Sequence, residues 1–136
     1  MQQQEYQEQG QGQGQGEAST ILIVEDDVNI GKFLIEAIQQ ETPYKFVLAS
    51  DGLEALQIAE KLKPRLFILN YHLPHMNGIE LYDRLHALEE LEDVPAIMMS
   101  AVLPEQEVNQ RSIIGIKKPF DLGILLNTIE GLLAVD

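Results

Sequence analysis

Glu25, Asp26, Asn70, Ser100 and Lys118 each stand at or just past the end of a short apolar run, and together they carry carboxylate, amide, hydroxyl and ammonium groups. Adjacent carboxylates at a strand end are a natural seat for a hard divalent cation such as magnesium. A hydroxyl followed by the small Ala101 lets the Ser100 side chain and the next backbone N–H both bind a phosphoryl oxygen. Lys118 precedes Pro119, which biases it toward an extended backbone and so aims its ammonium across the strand ends, where it balances acids or holds an anion. Position 70 withholds the nucleophile. An aspartate there could attack phosphorus and form an acyl phosphate. A carboxamide oxygen is uncharged and a poor nucleophile, and keeps only weak coordination or an accepted hydrogen bond. The chain has the outline of a phosphoryl site without its attacking oxygen.

Groups so far apart in sequence share a site only if the fold brings strand ends together. The apolar runs cover 21–24, 46–49, 66–69, 96–99 and 113–116, and stretches with helical spacing separate them. Such alternation implies a parallel sheet covered on both faces, with all carboxyl ends at one edge. Asp27 is placed to cap a first helix whose apolar face is Ile30, Phe33, Leu34, Ala37 and Ile38. Asp51 opens a second, with Glu54 reaching back as in a capping box, an apolar set of Leu53, Leu56 and Ala59, and a stop at Pro64. Leu81, Leu85 and Leu88 make a third stripe after Asn77 and Gly78. Leu122, Leu125, Leu126, Ile129, Leu132 and Leu133 make the last, capped by Asp121. The fourth helix, over 104–110, is short and has only Val108 as an anchor. Right-handed crossovers then favour a flavodoxin-like (βα)5 fold of strand order 2-1-3-4-5, with the crevice between Asp26 and Asn70.

At 136 residues the chain is of single-domain size. Residues 1–19 form a Gln/Gly-rich tail, expected to be disordered because it has too little apolar surface to offset ordering entropy; the folded domain spans 20–136. The tail's Glu5, Glu8 and Glu17 leave 19 acids against 9 Lys and Arg in the domain, a net −10. That field repels nucleic-acid phosphates, so direct DNA or RNA binding is not expected. No apolar stretch is long enough to span a membrane, the polar start is no signal peptide, and the lack of cysteine is compatible with a cytoplasmic setting.

Each residue also has a plainer reading. The three acids 25–27 cap and solvate the first helix, and Asn70 opens a turn. His72 and His75 make an H-x-x-H, but no Cys completes a zinc set. His86 reads as a surface residue, Met98 and Met99 as core, and Lys117 as the solvent-facing neighbour of Lys118.

Ile21-Leu22-Ile23-Val24-Glu25-Asp26-Asp27, Asp51-Gly52-Leu53-Glu54-Ala55-Leu56, Asn70 with Leu73-Pro74-His75-Met76-Asn77-Gly78, Ser100-Ala101 and Lys118-Pro119-Phe120 together resemble the receiver domain of bacterial two-component response regulators. The resemblance runs from about Thr20 to the end of the chain. It implies that Glu25, Asp26 and the backbone carbonyl of His72 are magnesium ligands. It also makes Ser100 the switch hydroxyl, with Ala101 beside it, and Lys118 the phosphoryl-contacting lysine. Three departures stand out. Asn70 replaces the phospho-acceptor aspartate, Gly115 replaces the Tyr or Phe that moves with the switch, and the stretch from Ser100 to Lys118 is shortened. With Asn70 the pocket charge is about −1 rather than −2, so magnesium binding is expected to be weak.

The expected function is that of a receiver-like signalling module of a phosphorelay that is not phosphorylated and acts by protein contact. A histidine kinase or another signalling protein is the expected partner, and a homodimer is compatible with the fold. Two alternatives are weighed beside it. One is a phosphorelay receiver whose native acceptor Asp was replaced by Asn70, by design or artefact. The other is a small phosphatase-type enzyme using Asp26 or Asp27, whose spacing does not match the Asp-x-Asp pair such enzymes need.

Overall fold

Continuous apolar strands need cover on both faces, and the computed structural model, which describes residues 19–134, supplies it. Strands β1 (Thr20–Val24), β2 (Lys45–Ala49), β3 (Leu66–Asn70), β4 (Ala96–Ser100) and β5 (Ile114–Lys117) alternate with helices α1 (Val28–Glu41), α2 (Gly52–Leu62), α3 (Gly78–His86), α4 (Glu105–Gln110) and α5 (Leu122–Leu133). The sheet is parallel throughout in the order β2-β1-β3-β4-β5, the flavodoxin-like topology expected. Because strand side chains alternate, the core divides in two. Leu22, Val24, Phe67, Leu69 and Met98 pack toward α2 and α3, whereas Ile21, Ile23, Ile68, Ile97 and Met99 pack toward α1 and α5. Of the expected tail, only Ser19 lies among the described residues, where its carbonyl accepts from the Lys45 N–H at 2.9 Å.

Helix starts follow the capping residues. The Asp27 carboxylate accepts from the N–H groups of Asn29 and Ile30 at 2.9 and 3.1 Å, and Asp121 accepts from Ile124 at 3.1 Å. Asp51 accepts from Glu54 N–H at 2.8 Å, but the return bond differs from expectation: Glu54 accepts from the N–H and hydroxyl of Ser50, one residue upstream. The full capping box is at α3, between Asn77 and Glu80. There Gly78 is forced by proximity, since a Cβ would lie 2.8 Å from the backbone oxygen of Asn70 and 3.0 Å from Tyr71 Cα. The start of α3 is thereby set hard against the end of β3.

Three expectations are corrected. Phe33 is 48% exposed and Leu53 64% exposed, so neither joins the core. Gly31 takes the inward position on α1, close enough to Leu48 that a Cβ would come within 3.2 Å of its Cδ2, while Phe33 leans on Phe120 with ring centroids 6.1 Å apart. As expected, Asn70 and Ser100 stand at strand ends, as the last residues of β3 and β4. His86 is half-buried: its Nε2 lies 2.8 Å from the Val94 carbonyl, and its ring stacks on Tyr82 at 4.0 Å.

The fourth helix is short, with Val108 its one buried side chain, as expected. A polar clasp compensates. Arg111 donates through Nε and Nη2 to both carboxylate oxygens of Asp83 on α3, at 2.8 and 2.9 Å, and through Nη1 to Glu107 at 2.8 Å. These bonds hold the Asp83 carboxyl below the usual carboxylate range. Tyr82 adds a bond to the Arg111 carbonyl at 3.2 Å. Val108→Ala is expected to lose about 1–3 kcal/mol of anchoring and to speed amide exchange across 105–113 more than in β1 or β3. Uniform acceleration across the sheet would contradict a locally anchored α4.

Candidate functional site

Register brings the expected residues to one edge. Val24 of β1 pairs with Leu69 of β3, so Glu25 and Asn70 emerge side by side, and Asn70 in turn pairs with Met99 of β4. Lys118 leaves β5 with its N–H on the Ser100 carbonyl at 2.9 Å, across a cis bond to Pro119. Its neighbour Lys117 is exposed.

The Asn70 side chain is the hub, with the residue 8% exposed. Its Nδ2 donates to the His72 carbonyl at 2.7 Å and, over longer contacts of 3.4 Å each, to Glu25 Oε2 and Asp26 Oδ1. Its Oδ1 accepts from Lys118 Nζ at 2.9 Å, and the same ammonium lies 3.5 Å from Glu25 Oε1. Turned over, the amide would aim an oxygen at three acceptors and an N–H2 at an ammonium. Only the observed orientation matches every donor to an acceptor. The sequence reading treats this amide as a weak acceptor, but it acts chiefly as a donor.

Glu25 is the strained acid of the cluster. Burial pushes its carboxyl up from the ordinary value, the nearby Asp26 adds to the rise, and the bond from the Asp27 N–H at 3.1 Å and the Lys118 charge only partly offset it. Asp27 itself is committed to capping α1, which leaves it poorly placed as a nucleophile.

The other expected residues sit beside the hub. Ser100 is 1% exposed, and its hydroxyl donates to the Val102 carbonyl at 2.9 Å and accepts the Val102 N–H at 3.2 Å, while Ala101 is exposed. At Gly115 a Cβ would come within 2.8 Å of Leu103 Cδ1. Leu103, from the loop between β4 and α4, therefore covers the place where the resemblance expects an aromatic ring. Sequence reasoning missed Leu103 and Gly78, because both act through contacts between segments that no local pattern signals.

The groups that the resemblance assigns to magnesium are engaged by the Asn70 amide. Glu25, Asp26 and the His72 carbonyl all face the Asn70 N–H2, and among the described residues no group of three or more His, Cys, Asp or Glu side chains is placed to hold a metal. The His72 and His75 side chains make no such group either.

Comparison with known proteins agrees with this geometry. The family model for the response regulator receiver domain matches residues 21–130. The chain is 31% identical over 114 residues to sporulation initiation phosphotransferase F of Bacillus subtilis, covering 81% of this chain and 90% of that protein. It is 31% identical over 117 residues to the DNA-binding dual master transcriptional regulator RpaA of Synechocystis, covering 83% of this chain but only 48% of that protein. Among solved structures, the chemotaxis protein CheY4 of Vibrio cholerae superposes with a TM-score of 0.78 at 28% identity, covering 85% of this chain and 99% of that one.

Because the folded state raises the Glu25 pKa, it holds that proton to higher pH than the unfolded chain does. The penalty for ionising Glu25 is therefore absent in acid and grows as pH rises from the ordinary value of 4.5 through the raised one. Melting curves of the wild type and Glu25→Gln across that window should diverge in favour of the variant as pH rises. A constant offset would contradict the shift.

Proposed function

The chain belongs to the response regulator receiver family, and from that membership we propose that it signals by protein contact without forming an aspartyl phosphate. As a receiver domain of two-component and phosphorelay signalling it is a signalling module rather than a catalytic enzyme, and domains of this kind interact with kinases and phosphotransferases. One observation carries the finer reading. The side-chain oxygen that Lys118 holds at 2.9 Å belongs to a carboxamide, whose partner nitrogen is spent on the His72 carbonyl, Glu25 and Asp26. A neutral amide has no lone pair of carboxylate strength to offer phosphorus.

The altered switch region supports the same reading. Leu103 covers Gly115, Ser100 is bonded to Val102, and α4 spans only 6 residues, so acceptor, relay and output face all depart from the family pattern together. The partner is a histidine kinase or another signalling protein that recognises this surface, and a homodimer is compatible with the fold. Direct nucleic-acid contact is no part of the proposal, given the net −10 over 20–136. No helix among the described residues is long and apolar enough to cross a membrane.

A second reading has one observation in its favour. Lys118 stands where it would meet an acid at position 70, as though an aspartate there had been replaced. Incubation with acetyl phosphate followed by amide exchange separates the two. The wild-type chain should gain no acid-labile phosphate by intact mass, whereas Asn70→Asp should gain one equivalent. Under the proposed function, amide exchange in α4 and β5 of that phosphorylated variant stays unchanged; a large change there would favour the second reading. A phosphorylated wild type would refute the proposal.

A further inference from the structure

We infer that the Asn70 amino group stands in for the pocket's cation, so that metal can enter only by displacing it. The inference rests on the reading of this cleft as a receiver pocket, but not on whether phosphate is transferred there. Three oxygen groups that would surround a divalent ion, one carboxylate oxygen each from Glu25 and Asp26 and the carbonyl of His72, converge on Nδ2 at 3.4, 3.4 and 2.7 Å. These are hydrogen-bonding separations, well beyond the ~2.1 Å at which magnesium holds oxygen. The opposite end of the same amide is fixed by the Lys118 ammonium, which itself lies 3.5 Å from Glu25.

Each end of the side chain therefore has a task. The N–H2 offers partial positive charge to the buried Glu25 and to the exposed Asp26, and the oxygen spreads the lysine charge into the same network. Glu25 is 4% exposed and Asn70 8%, so solvent has little room to replace the contact between these two, while Asp26 stands at the open side of the cleft. Within the cleft the amide thus joins both acids, the His72 carbonyl and Lys118 in one hydrogen-bonded set.

This differs from a simple loss of negative charge. Asn and Ala at position 70 leave the same formal charge, so electrostatics alone gives the two equal affinity for a cation. Coordination alone makes Ala the weaker binder, because the amide oxygen is a potential ligand. Displacement alone makes Ala the tighter binder, because the acids lose an internal donor that competes with the metal.

The test is a calorimetric Mg2+ titration of the full chain as wild type, Asn70→Ala and Asn70→Asp, with thermal melts in EDTA and in Mg2+. Asn70→Ala should bind Mg2+ at least ~10-fold more tightly than the wild type, the equivalent of one charge-assisted hydrogen bond lost to competition. It should also melt lower than the wild type in EDTA and recover when Mg2+ is added. Affinity equal to or weaker than that of the wild type would overturn the inference. Should the Ala variant not fold, carboxyl 13C shifts of Glu25 and Asp26 in the wild type decide: no movement in millimolar Mg2+ supports the inference, and a saturable shift overturns it. A wild type that binds Mg2+ as tightly as Asn70→Ala yet takes no phosphate from acetyl phosphate fails this inference alone. One that takes phosphate fails the proposed function instead.

Discussion

A buried carboxamide bridging two acids, a carbonyl and a lysine is the contact on which the rest of this molecule turns. A carboxylate such as Glu25 is costly to bury beside a second acid without a positive partner, and Lys118 reaches only one side of the cleft. Asn70 supplies the other side from its nitrogen while its oxygen keeps the lysine in place. Residual strain falls on Glu25, whose carboxyl remains above its ordinary value even so. Hydrogen bonds from the one Asn70 side chain thus tie both acids, the His72 carbonyl and the lysine together.

The scaffold serves that contact. Parallel pairing delivers Glu25, Asn70, Ser100 and Lys118 to one edge of the sheet, and the close approach of Gly78 to the Asn70 backbone fixes where β3 ends. On the far side, Leu103 over Gly115 and Ser100 bonded to Val102 tie the loop after β4 to its own neighbours. The Arg111 clasp to Asp83 does for α4 what a longer apolar face would otherwise do.

Much of this was legible in the sequence, for identifiable reasons. Strand exits were readable because apolar runs stop at chemically distinctive residues, and a parallel sheet has only one edge at which to gather them. Caps at Asp27 and Asp121 were readable because they are local. What escaped depended on distance. Phe33 and Leu53 fit the helical period, but only the placement of Gly31 and Ala55 against the sheet shows which side of each helix turns inward. His86 looked solvated until Tyr82 and Val94 closed around it. Most telling is Asn70: its type points away from a nucleophile, whereas its role as a donor is visible only once three acceptors, from the segments just after β1 and β3, surround its nitrogen.

The most direct measurement is the side-chain amide resonance of Asn70 in protein labelled with 15N-asparagine. The account predicts two resolved N–H signals, slow to exchange with solvent and unmoved by Mg2+ or acetyl phosphate. Averaged, rapidly exchanging signals, or signals that shift on adding either reagent, would show that the amide does not hold the pocket closed and would contradict the account.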